Sequence, residues 1–234
     1  MATYNGERYI KQQIDSILCQ LEENDELIIS DDGSSDRTLE IVEAYNDRRI
    51  KVFHHSSDSK LSGHKKATLN FENALSKAAG DYIFLSDQDD VWENNKVFEC
   101  VKELQSHDFV VHNMSVVDDV NLLVSEKRYS ASTLPENWFS IVIKMKLWGC
   151  CMAFRKECLD YLLPFPSRII AHDYWIAAMC IKNGLCGYID VPLIKYREHF
   201  GSVSYKKRNS IFFKIKYRLD LLIEIIRCRK KQVA

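Results

Sequence analysis

The sequence predicts an α/β protein in which a mostly parallel central sheet is flanked by helices and followed by a C-terminal amphipathic helix. Three observations support this fold. Helical and strand patterns alternate along the first half of the chain, which is typical of parallel β-α-β units. Two predicted strands end in acidic residues, where an open α/β sheet is expected to bind its ligand. The last thirty residues combine apolar periodicity with positive charge.

The first half shows the alternation most clearly. Apolar residues at helical spacing alternate with short apolar runs, and Gly80 is the expected C-terminal stop of the second long helix. The predicted order is a helical face from Ile10 to Leu21, strand 27–30, helix 36–45, strand 50–54, a helical face from Ala67 to Ala78, strand 81–86, helix Lys96 to Leu104 and strand Phe109 to Met114.

The second half is less regular. It is predicted to contain a strand from Trp148 to Phe154, a helix from Asp173 to Lys182, and strands near 187–189 and 193–197. No internal repeat or low-complexity linker divides the chain.

The composition is that of a globular protein. With 234 residues and a hydrophobic fraction of 46%, the chain can form one large domain with a sizeable core. Its eight cysteines include no CxxC pair, which argues against a zinc ribbon or a thioredoxin-type site and favours buried thiols in a reducing compartment. No signal peptide and no run of about 18 apolar residues is present. We therefore expect a cytoplasmic protein.

The net charge of −1 conceals a basic C-terminal segment, residues 205–234. This segment carries ten basic and two acidic residues, a balance of +8 that leaves −9 for the rest of the chain. Its apolar residues recur at helical spacing: Ile211, Phe212, Ile215, Leu219, Leu222, Ile223 and Ile226. Nucleic acid is not an expected partner, since the body is acidic and no recognition motif is present.

Two interpretations of this basic helix remain open. It can bind peripherally to an anionic membrane surface, on the inner face of the cell membrane, where each basic residue contributes about 1 kcal/mol before screening. Alternatively it packs on the protein's own body, which Leu221 and Ile225 favour because they widen the apolar stripe.

The most informative motif is the acidic turn 87–90, with the sequence DQDD, which follows the strand 81–86. Carboxylates two apart on an extended segment point to the same side, so Asp87 and Asp89 can face one hard cation. Such a turn alone is more often a solvated loop. A second predicted strand, however, ends at Asp31 and Asp32, and helix capping by the residues that follow does not explain these two acids.

Five motifs in order resemble the inverting glycosyltransferases of family 2, which have the GT-A (Rossmann-like) fold. They are MATYNGERYI, ISDDGSSDRT, AGDYIFLSDQDDVW, AHDYWIA and YREHFGSVS, and together they cover the chain to about Ser204. Within that family the chain is most similar to bacterial enzymes of surface-polysaccharide synthesis, including rhamnosyltransferases. The resemblance implies a nucleotide-sugar-binding half, residues 1–114, an acceptor-binding half, residues 115–204, and the basic helix 205–234.

The resemblance also implies roles for single residues on the donor side. Thr3, Tyr4 and Asn5 match the loop beside the nucleotide base, and Asp32 matches the acid that hydrogen-bonds the pyrimidine. The family's DxD motif corresponds to Asp87 and Asp89. Asp89 is expected to bind Mg²⁺ or Mn²⁺ directly, with Asp87 nearer the ribose or reaching the metal through water. His199 falls where related enzymes place a residue near the diphosphate or the metal, although an ordinary loop histidine would also fit.

On the acceptor side, Asp173 matches the catalytic base and follows His172. Without the resemblance, the favoured explanation of Asp173 is an acidic residue at the positive end of a helix. Gly149 and Cys150, with Cys151, match a stretch that faces donor sugar and acceptor, where position rather than thiol chemistry is expected to matter. The implied activity is inverting transfer from a nucleoside-diphosphate sugar to a hydroxyl of a glycan acceptor, which is expected to be lipid-linked.

One departure from the family concerns the start of the chain. Family members carry several apolar residues before the TYN loop, which form a central strand, whereas only Met1, Ala2 and Thr3 precede Tyr4 here. We therefore expect the chain to be incomplete at its N-terminus, because loss of a central strand leaves backbone groups of its neighbours unpaired. A catalytically silent sugar-nucleotide-binding or scaffold protein with a truncated first strand is the alternative function. A nucleotidyltransferase is a third, although no glycine-rich basic phosphate loop is present.

Overall fold

A computed structural model describes residues 1–129, 135, 137–143, 147–199 and 210–228. The first three strands form a parallel sheet, as predicted, in the order β1-β2-β3. The register pairs Ala2 with Ser30 and Leu27 with Ile50. The elements of this region are β1 (Ala2–Thr3), α1 (Ile10–Leu18), β2 (Leu27–Asp31), α2 (Thr38–Glu43), β3 (Ile50–His54) and α3 (Gly63–Leu75).

A second sheet of six strands follows, and it is mixed. Its strands are β4 (Tyr82–Phe84), β5 (Val91–Trp92), β6 (Phe109–Val117), β7 (Leu123–Ser125), β8 (Met152–Arg155) and β9 (Cys186–Arg197). The order is β4-β8-β6-β9-β5, with β7 paired to β6. Among the described strands of this sheet, only β6 and β9 run parallel. The mostly parallel sheet was therefore wrong for this half, because β8 enters between β4 and β6 and runs antiparallel to both.

The remaining helices are α4 (Lys96–Leu104), α5 (Trp138–Ile143), α6 (Leu159–Leu162), α7 (His172–Asn183) and α8 (Ile211–Arg227). Helix α4 has the predicted bounds, and α7 is one residue longer at each end. Several elements differ from the prediction in bounds or type, and β5, β7, α5 and α6 were not predicted. Helix α3 ends at Leu75, so Gly80 is not its stop. Residues Gly149–Cys151 form a 3₁₀ turn before β8. The two strands predicted at 187–197 are one strand, β9.

The two sheets meet at the carboxyl ends of β1 and β4. The amide of Ala2 donates a hydrogen bond of 3.3 Å to the carbonyl of Ser86. Thr3 and Asp31 at the ends of β1 and β2 are paired in register. The acidic turn after β4 consequently lies beside the TYN loop after β1, and ligand-binding residues from distant parts of the sequence share one edge.

Helix α8 packs on the body of the protein. Leu221 and Ile225 are buried, and the ammonium of Lys182 donates hydrogen bonds to the carbonyls of Ile225, at 2.5 Å, and Cys228, at 2.8 Å. Six residues of the apolar stripe predicted from the sequence face solvent, whereas the seventh, Leu222, is partly buried against the core. Among the described helices, none is both long enough and apolar enough to cross a membrane.

The predicted division of the chain at 114 and 204 stays a prediction, and so does the predicted incomplete N-terminus. The boundary at 204 and the motif residues from 200 to 204 lie outside the described residues. The described core cluster includes residues from both predicted halves, such as Ile29, Phe109 and Trp175. All eight cysteines are described, and none forms a disulfide.

Candidate active site

The acidic turn lies between β4 and β5 and brings several carboxylates together. Burial and the negative charges of Asp89 and Asp173 raise the pKa of Asp87 to about 7. Asp87 therefore lies close enough to Asp173, the predicted base, to sense its charge across the crevice. Such crowding of like charges costs energy that a bound cation would offset.

Asp89 is paired with the predicted metal-site histidine. The distance from Asp89 Oδ2 to His199 Nε2 is 2.8 Å. The His199 ring packs on Tyr9, with ring centroids 4.7 Å apart. The two residues are 110 positions apart in the sequence, and the structure brings them together.

A third acid, Asp90, lies deeper and was not singled out from the sequence. Its Oδ1 accepts a hydrogen bond of 3.1 Å from the backbone N–H of Arg197, and burial raises its pKa well above the usual value. Its buried Oδ2 has no nitrogen or oxygen partner among the described residues. Asp87, Asp90 and Cys150 each offer a ligand atom, all within 4.8 Å of one another.

These residues fit a divalent cation. Carboxylate oxygens are the ligands that Mg²⁺ and Mn²⁺ prefer. Positive charge would stabilise both the crowded Asp87 and Asp90, whose carboxylate is hydrogen-bonded by the Cys150 thiol and the Arg197 N–H but by no cationic side chain among the described residues. Cys150 is a poorer ligand. A hydrogen bond with Cys151, together with burial and the charge of Asp90, raises the pKa of the Cys150 thiol well above its usual value, so the thiol keeps its proton.

The candidate base Asp173 lies in the first turn of α7, opposite the acidic turn. Burial raises the pKa of Asp173 to about 7. Its Oδ1 accepts a hydrogen bond of 2.9 Å from the N–H of Tyr174. The carboxylate thus has a defined orientation and a pKa suited to proton transfer near neutral pH.

His172 and Gly149 complete this side of the crevice. The ring of His172 stacks on Phe71 at 4.0 Å between centroids, and burial, together with the charge of His64, lowers the pKa of His172 to about 3. His172 is therefore neutral, and its ring forms part of the lining of the site beside Asp173. A Cβ added at Gly149 would lie 2.9 Å from His172 Nε2 and 3.6 Å from the Cβ of Asp173. The glycine lets the 3₁₀ turn approach the base closely.

The TYN loop and the acids after β2 form the other end of the crevice. Asn5, with φ of 48°, donates its N–H to Ser34 and accepts the N–H of Ser35 on its side-chain oxygen. Asp32 Oδ1 accepts a hydrogen bond of 2.7 Å from the N–H of Ser57 and lies 4.0 Å from His55 Nε2. Asp32 is thus held at the edge where its role in binding a base was predicted.

Asp31 has a structural role that differs from that of Asp32. Its carboxylate accepts hydrogen bonds from the hydroxyls of Thr3 and Ser34 and from the N–H groups of Gly33 and Ser34. These contacts fix the loop between β2 and α2. Thr3 is buried in this network, whereas Tyr4 is 56% exposed and free to contact a ligand.

Sequence reasoning missed three residues that hold the site together. Gln88 bonds both the N–H and the carbonyl of Tyr4, at 2.8 Å and 3.0 Å. Arg197 donates through Nε to the carbonyl of Asp89 at 2.9 Å and through Nη2 to Gln12. The ammonium of Lys96 donates to the carbonyl of Cys150 at 2.9 Å. Gln88 lies within the DQDD motif, but its contacts with Tyr4 were not predicted. No local pattern distinguishes Arg197 and Lys96 from surface basic residues.

Comparison with solved structures identifies the fold. Structures with the same fold include residues 1–349 of Staphylococcus aureus TarS in complex with UDP-GlcNAc. The two align with a TM-score of 0.74 and 20% identity over 99% of this chain and 66% of that one. Glucosyl-3-phosphoglycerate synthase from Mycobacterium tuberculosis, in complex with Mn²⁺ and UDP, aligns with a TM-score of 0.59 and 15% identity over 98% of this chain and 79% of that one. This is the GT-A fold of glycosyltransferases.

The family follows from the sequence comparison. The model of glycosyl transferase family 2 matches residues 1–163, and the chain belongs to that family. It is 27% identical to the dTDP-rhamnosyl transferase RfbG of Shigella flexneri over 93% of this chain and 77% of the relative. It is 26% identical to an Escherichia coli relative, WfgD, over 97% of this chain and 85% of the relative; that protein is named as a UDP-Glc:alpha-D-GlcNAc-diphosphoundecaprenol beta-1,3-glucosyltransferase.

Proposed function

We propose that this protein is an inverting glycosyltransferase that moves a sugar from a nucleoside-diphosphate sugar to a hydroxyl of a lipid-linked glycan in bacterial surface-polysaccharide synthesis. The observation that carries the proposal is that the acidic turn and Asp173 both lie beside the Gly149–Cys151 turn. Ligand atoms of Asp87 and Cys150 lie within 4.8 Å of each other, and a Cβ added at Gly149 would lie 3.6 Å from the Cβ of Asp173, so a donor phosphate at the acidic turn and an acceptor hydroxyl at Asp173 would be neighbours.

The donor nucleotide would lie along the carboxyl ends of β1 and β2. Asp32, fixed by the N–H of Ser57, would accept a hydrogen bond from a pyrimidine, with exposed Tyr4 and Asn5 beside the base. Support for a pyrimidine comes from similar proteins, since the Shigella relative is named for dTDP-rhamnose and the TarS structure contains UDP-GlcNAc.

Asp87 and Asp90, whose ligand atoms lie within 4.8 Å of each other, together with Asp89 and its partner His199, would hold Mg²⁺ or Mn²⁺ against the donor diphosphate. The ion would supply Lewis-acid neutralisation of the negative charge that develops on the leaving phosphate oxygens. The protein's own contribution is positional. Arg197 fixes the carbonyl of Asp89, and Gln88 ties the turn to the TYN loop.

Asp173 would take the proton of the acceptor hydroxyl as the new glycosidic bond forms. A pKa of about 7 lets it accept a proton near neutral pH, and such a base contributes roughly 10²–10⁴-fold. A single base on the face opposite the leaving group gives inversion at the anomeric carbon. Neutral His172 and Gly149 would border the reacting groups, and buried Cys150 would shape the pocket as a thiol.

The acceptor is proposed from the relatives. The Escherichia coli relative is named for an acceptor linked to diphosphoundecaprenol, which places that reaction at a membrane. By analogy we propose a lipid-linked glycan acceptor for this protein and a location on the cytoplasmic side of the cell membrane.

The experiment is a panel of nucleotide sugars with Mn²⁺ and a diphospholipid-linked N-acetylhexosamine, followed by assay of released nucleoside diphosphate and NMR of the product. We expect acceptor-dependent release with one donor and a product of inverted anomeric configuration. Release should be lost in Asp173→Asn and Asp89→Asn and retained in Asp160→Asn, a control at an exposed acid. Donor binding without turnover for every donor and acceptor would instead support a sugar-nucleotide-binding scaffold.

A further inference from the structure

Helix α8 presents two apolar faces, and only one of them is covered. The covered face consists of Leu221 and Ile225, which are buried against α5 and α7. A second face carries six large apolar side chains that are at least 36% exposed, up to 81% for Phe212, while Leu222 on the same side is partly buried against the core. The six exposed residues are Ile211, Phe212, Ile215, Leu219, Ile223 and Ile226.

The six exposed residues form one continuous stripe, which we call the outer stripe. At about 100° per residue their positions fall within an arc of about 120° along the whole length of the helix. Single exposed apolar residues need no explanation, but a contiguous apolar patch marks an interaction surface. The outer stripe is therefore a candidate interaction surface.

Charge along the helix identifies the chemistry of that partner. Lys216 borders one edge of the outer stripe, and Arg218 borders the other. Arg227 lies beside Lys216 and is paired with Glu224 at 3.4 Å. Asp220 and Glu224 lie 3.8 Å and 3.9 Å from Arg168 of the body. An apolar stripe with basic edges matches an interfacial helix, whose apolar side chains enter the lipid while its basic side chains reach anionic headgroups.

We infer that the outer stripe of α8 lies in the headgroup region of an anionic lipid bilayer and docks the protein on a membrane surface. The sequence adds further positive charge close to the helix ends, at Lys206, Lys207 and Arg208 before it and at Arg229, Lys230 and Lys231 after it. A second copy of this chain would bring the same basic edges face to face, which favours lipid over self-association.

The position of α8 links this surface to the reaction and rests on the proposed function. The hydroxyls of Tyr217 on α8 and Tyr174 on α7 are 3.5 Å apart, and Tyr174 follows the candidate base Asp173 directly. Tyr217 lies on the side of α8 opposite the centre of the outer stripe, so the helix itself would stand between the membrane surface and Tyr174. The acceptor side of the site would then lie about one helix diameter, roughly 10–12 Å, from the membrane surface.

The test is co-sedimentation with vesicles of phosphatidylcholine, with and without phosphatidylglycerol, at low and high salt. The double variant Phe212→Ser/Leu219→Ser removes two exposed side chains of the outer stripe. Leu122→Ser/Val124→Ser is the matched control, because these side chains are similarly exposed at the β7 hairpin. We expect the parent and the control to bind phosphatidylglycerol vesicles and to lose binding as salt rises, while the stripe variant binds at least about tenfold more weakly.

Transfer to a water-soluble acceptor analogue separates this inference from the proposed function. The stripe variant should keep that activity and lose transfer to an acceptor embedded in vesicles. Equal vesicle binding by parent and stripe variant, or no binding by the parent, would overturn the inference. So would a parent dimer that the variant converts to monomer without any vesicle binding, because a second copy would then cover the stripe. Inactivity of the parent with the soluble analogue would count against the proposed function alone.

Discussion

Each acid in the crevice has a different environment, and those environments separate their roles. Asp31 is hydrogen-bonded by its own loop and by Thr3, Asp89 is paired with His199, and Asp173 is oriented by backbone N–H groups at the start of α7. Burial without a cationic partner is what raises the pKa of Asp173 to about 7. A carboxylate with that environment is suited to accept a proton.

The first prediction concerns the pH dependence of activity. Because Asp173 must be ionised to act as a base, kcat at saturating donor and Mn²⁺ should rise with pH and level off above about 7. On the acidic side it should fall about tenfold per pH unit. The measurement is a pH–rate profile with a parallel titration of nucleoside-diphosphate binding. A profile that stays flat from pH 5 to 8, with binding unchanged, would rule out Asp173 as the base.

Replacing Asp173 should also change stability, with a sign fixed by its raised pKa. The folded protein retains this proton up to about pH 7, whereas the unfolded chain releases it near the usual value of 3.8. Stability from this group is therefore complete below about pH 4 and is lost as pH rises through 7. Asp173→Asn should be more stable than the parent at pH 8 by thermal unfolding, and this gain should shrink at pH 5. Each kcal/mol corresponds to about 2–4 °C in Tm.

A third prediction concerns the close approach at Gly149. In Gly149→Ala the added methyl would press on His172 Nε2 at 2.9 Å and displace it toward Asp173, so turnover should fall at least about tenfold while the protein stays folded. Gly80→Ala is the control, because its added Cβ would meet nothing closer than 3.8 Å. Unchanged kcat in Gly149→Ala, measured beside far-ultraviolet circular dichroism of both variants, would show that the close approach is dispensable.

At the scale of elements, the last residue of β9 organises the acidic turn. Arg197 is 2% exposed, and its guanidinium reaches the carbonyl of Asp89, Gln12 and the ring of Tyr9, 4.9 Å from the guanidinium carbon. The turn is short and carries three acids, so it needs an external positive group to hold its shape. Strand β9 supplies that group from more than a hundred residues away.

We predict that Arg197→Met destabilises the protein by about 1–3 kcal/mol in urea unfolding, because buried acceptors lose a charged donor. The variant should also weaken Mn²⁺-dependent turnover. Arg155→Met removes an arginine that likewise bonds two backbone carbonyls, at His107 and Gln105, but far from the turn. That control should lose stability without any change in the Mn²⁺ concentration needed for half-maximal activity. The same Mn²⁺ requirement in both variants would contradict this role of Arg197.

Local patterns predicted the elements well but did not predict their neighbours. Helix α4 has its predicted bounds because its apolar spacing and surrounding turns are local signals. The segment Gly149–Cys151 was predicted to be a strand and is a 3₁₀ turn. A short buried apolar segment has the same sequence pattern in a strand and in a 3₁₀ turn. Most of the apolar stripe predicted for α8 faces solvent, because Leu221 and Ile225 contact the body in place of the stripe residues.

At the scale of the whole molecule, the parts of the site that could be predicted are those formed by residues consecutive in the sequence, such as the acidic turn. Acids that end β2 and β4 were expected to converge, and they do so where the two sheets join through Ala2 and Ser86. The roles of Arg197 and Lys96 could not be predicted in this way. Their partners, Asp89 and Cys150, are 108 and 54 residues away in the sequence. The antiparallel entry of β8 was missed for the same reason, since strand order depends on long-range packing.

The central claim is that one crevice holds a donor diphosphate and cation at the acidic turn, opposite Asp173. The most direct measurement is the anomalous scattering map of crystals grown with Mn²⁺ and a pyrimidine nucleoside diphosphate. We predict a peak about 2.2 Å from a carboxylate oxygen of Asp89 or Asp87, with the diphosphate between the ion and Asp173 and the base beside Asp32. A nucleotide bound on another face, or a peak remote from residues 87–90, would contradict the account.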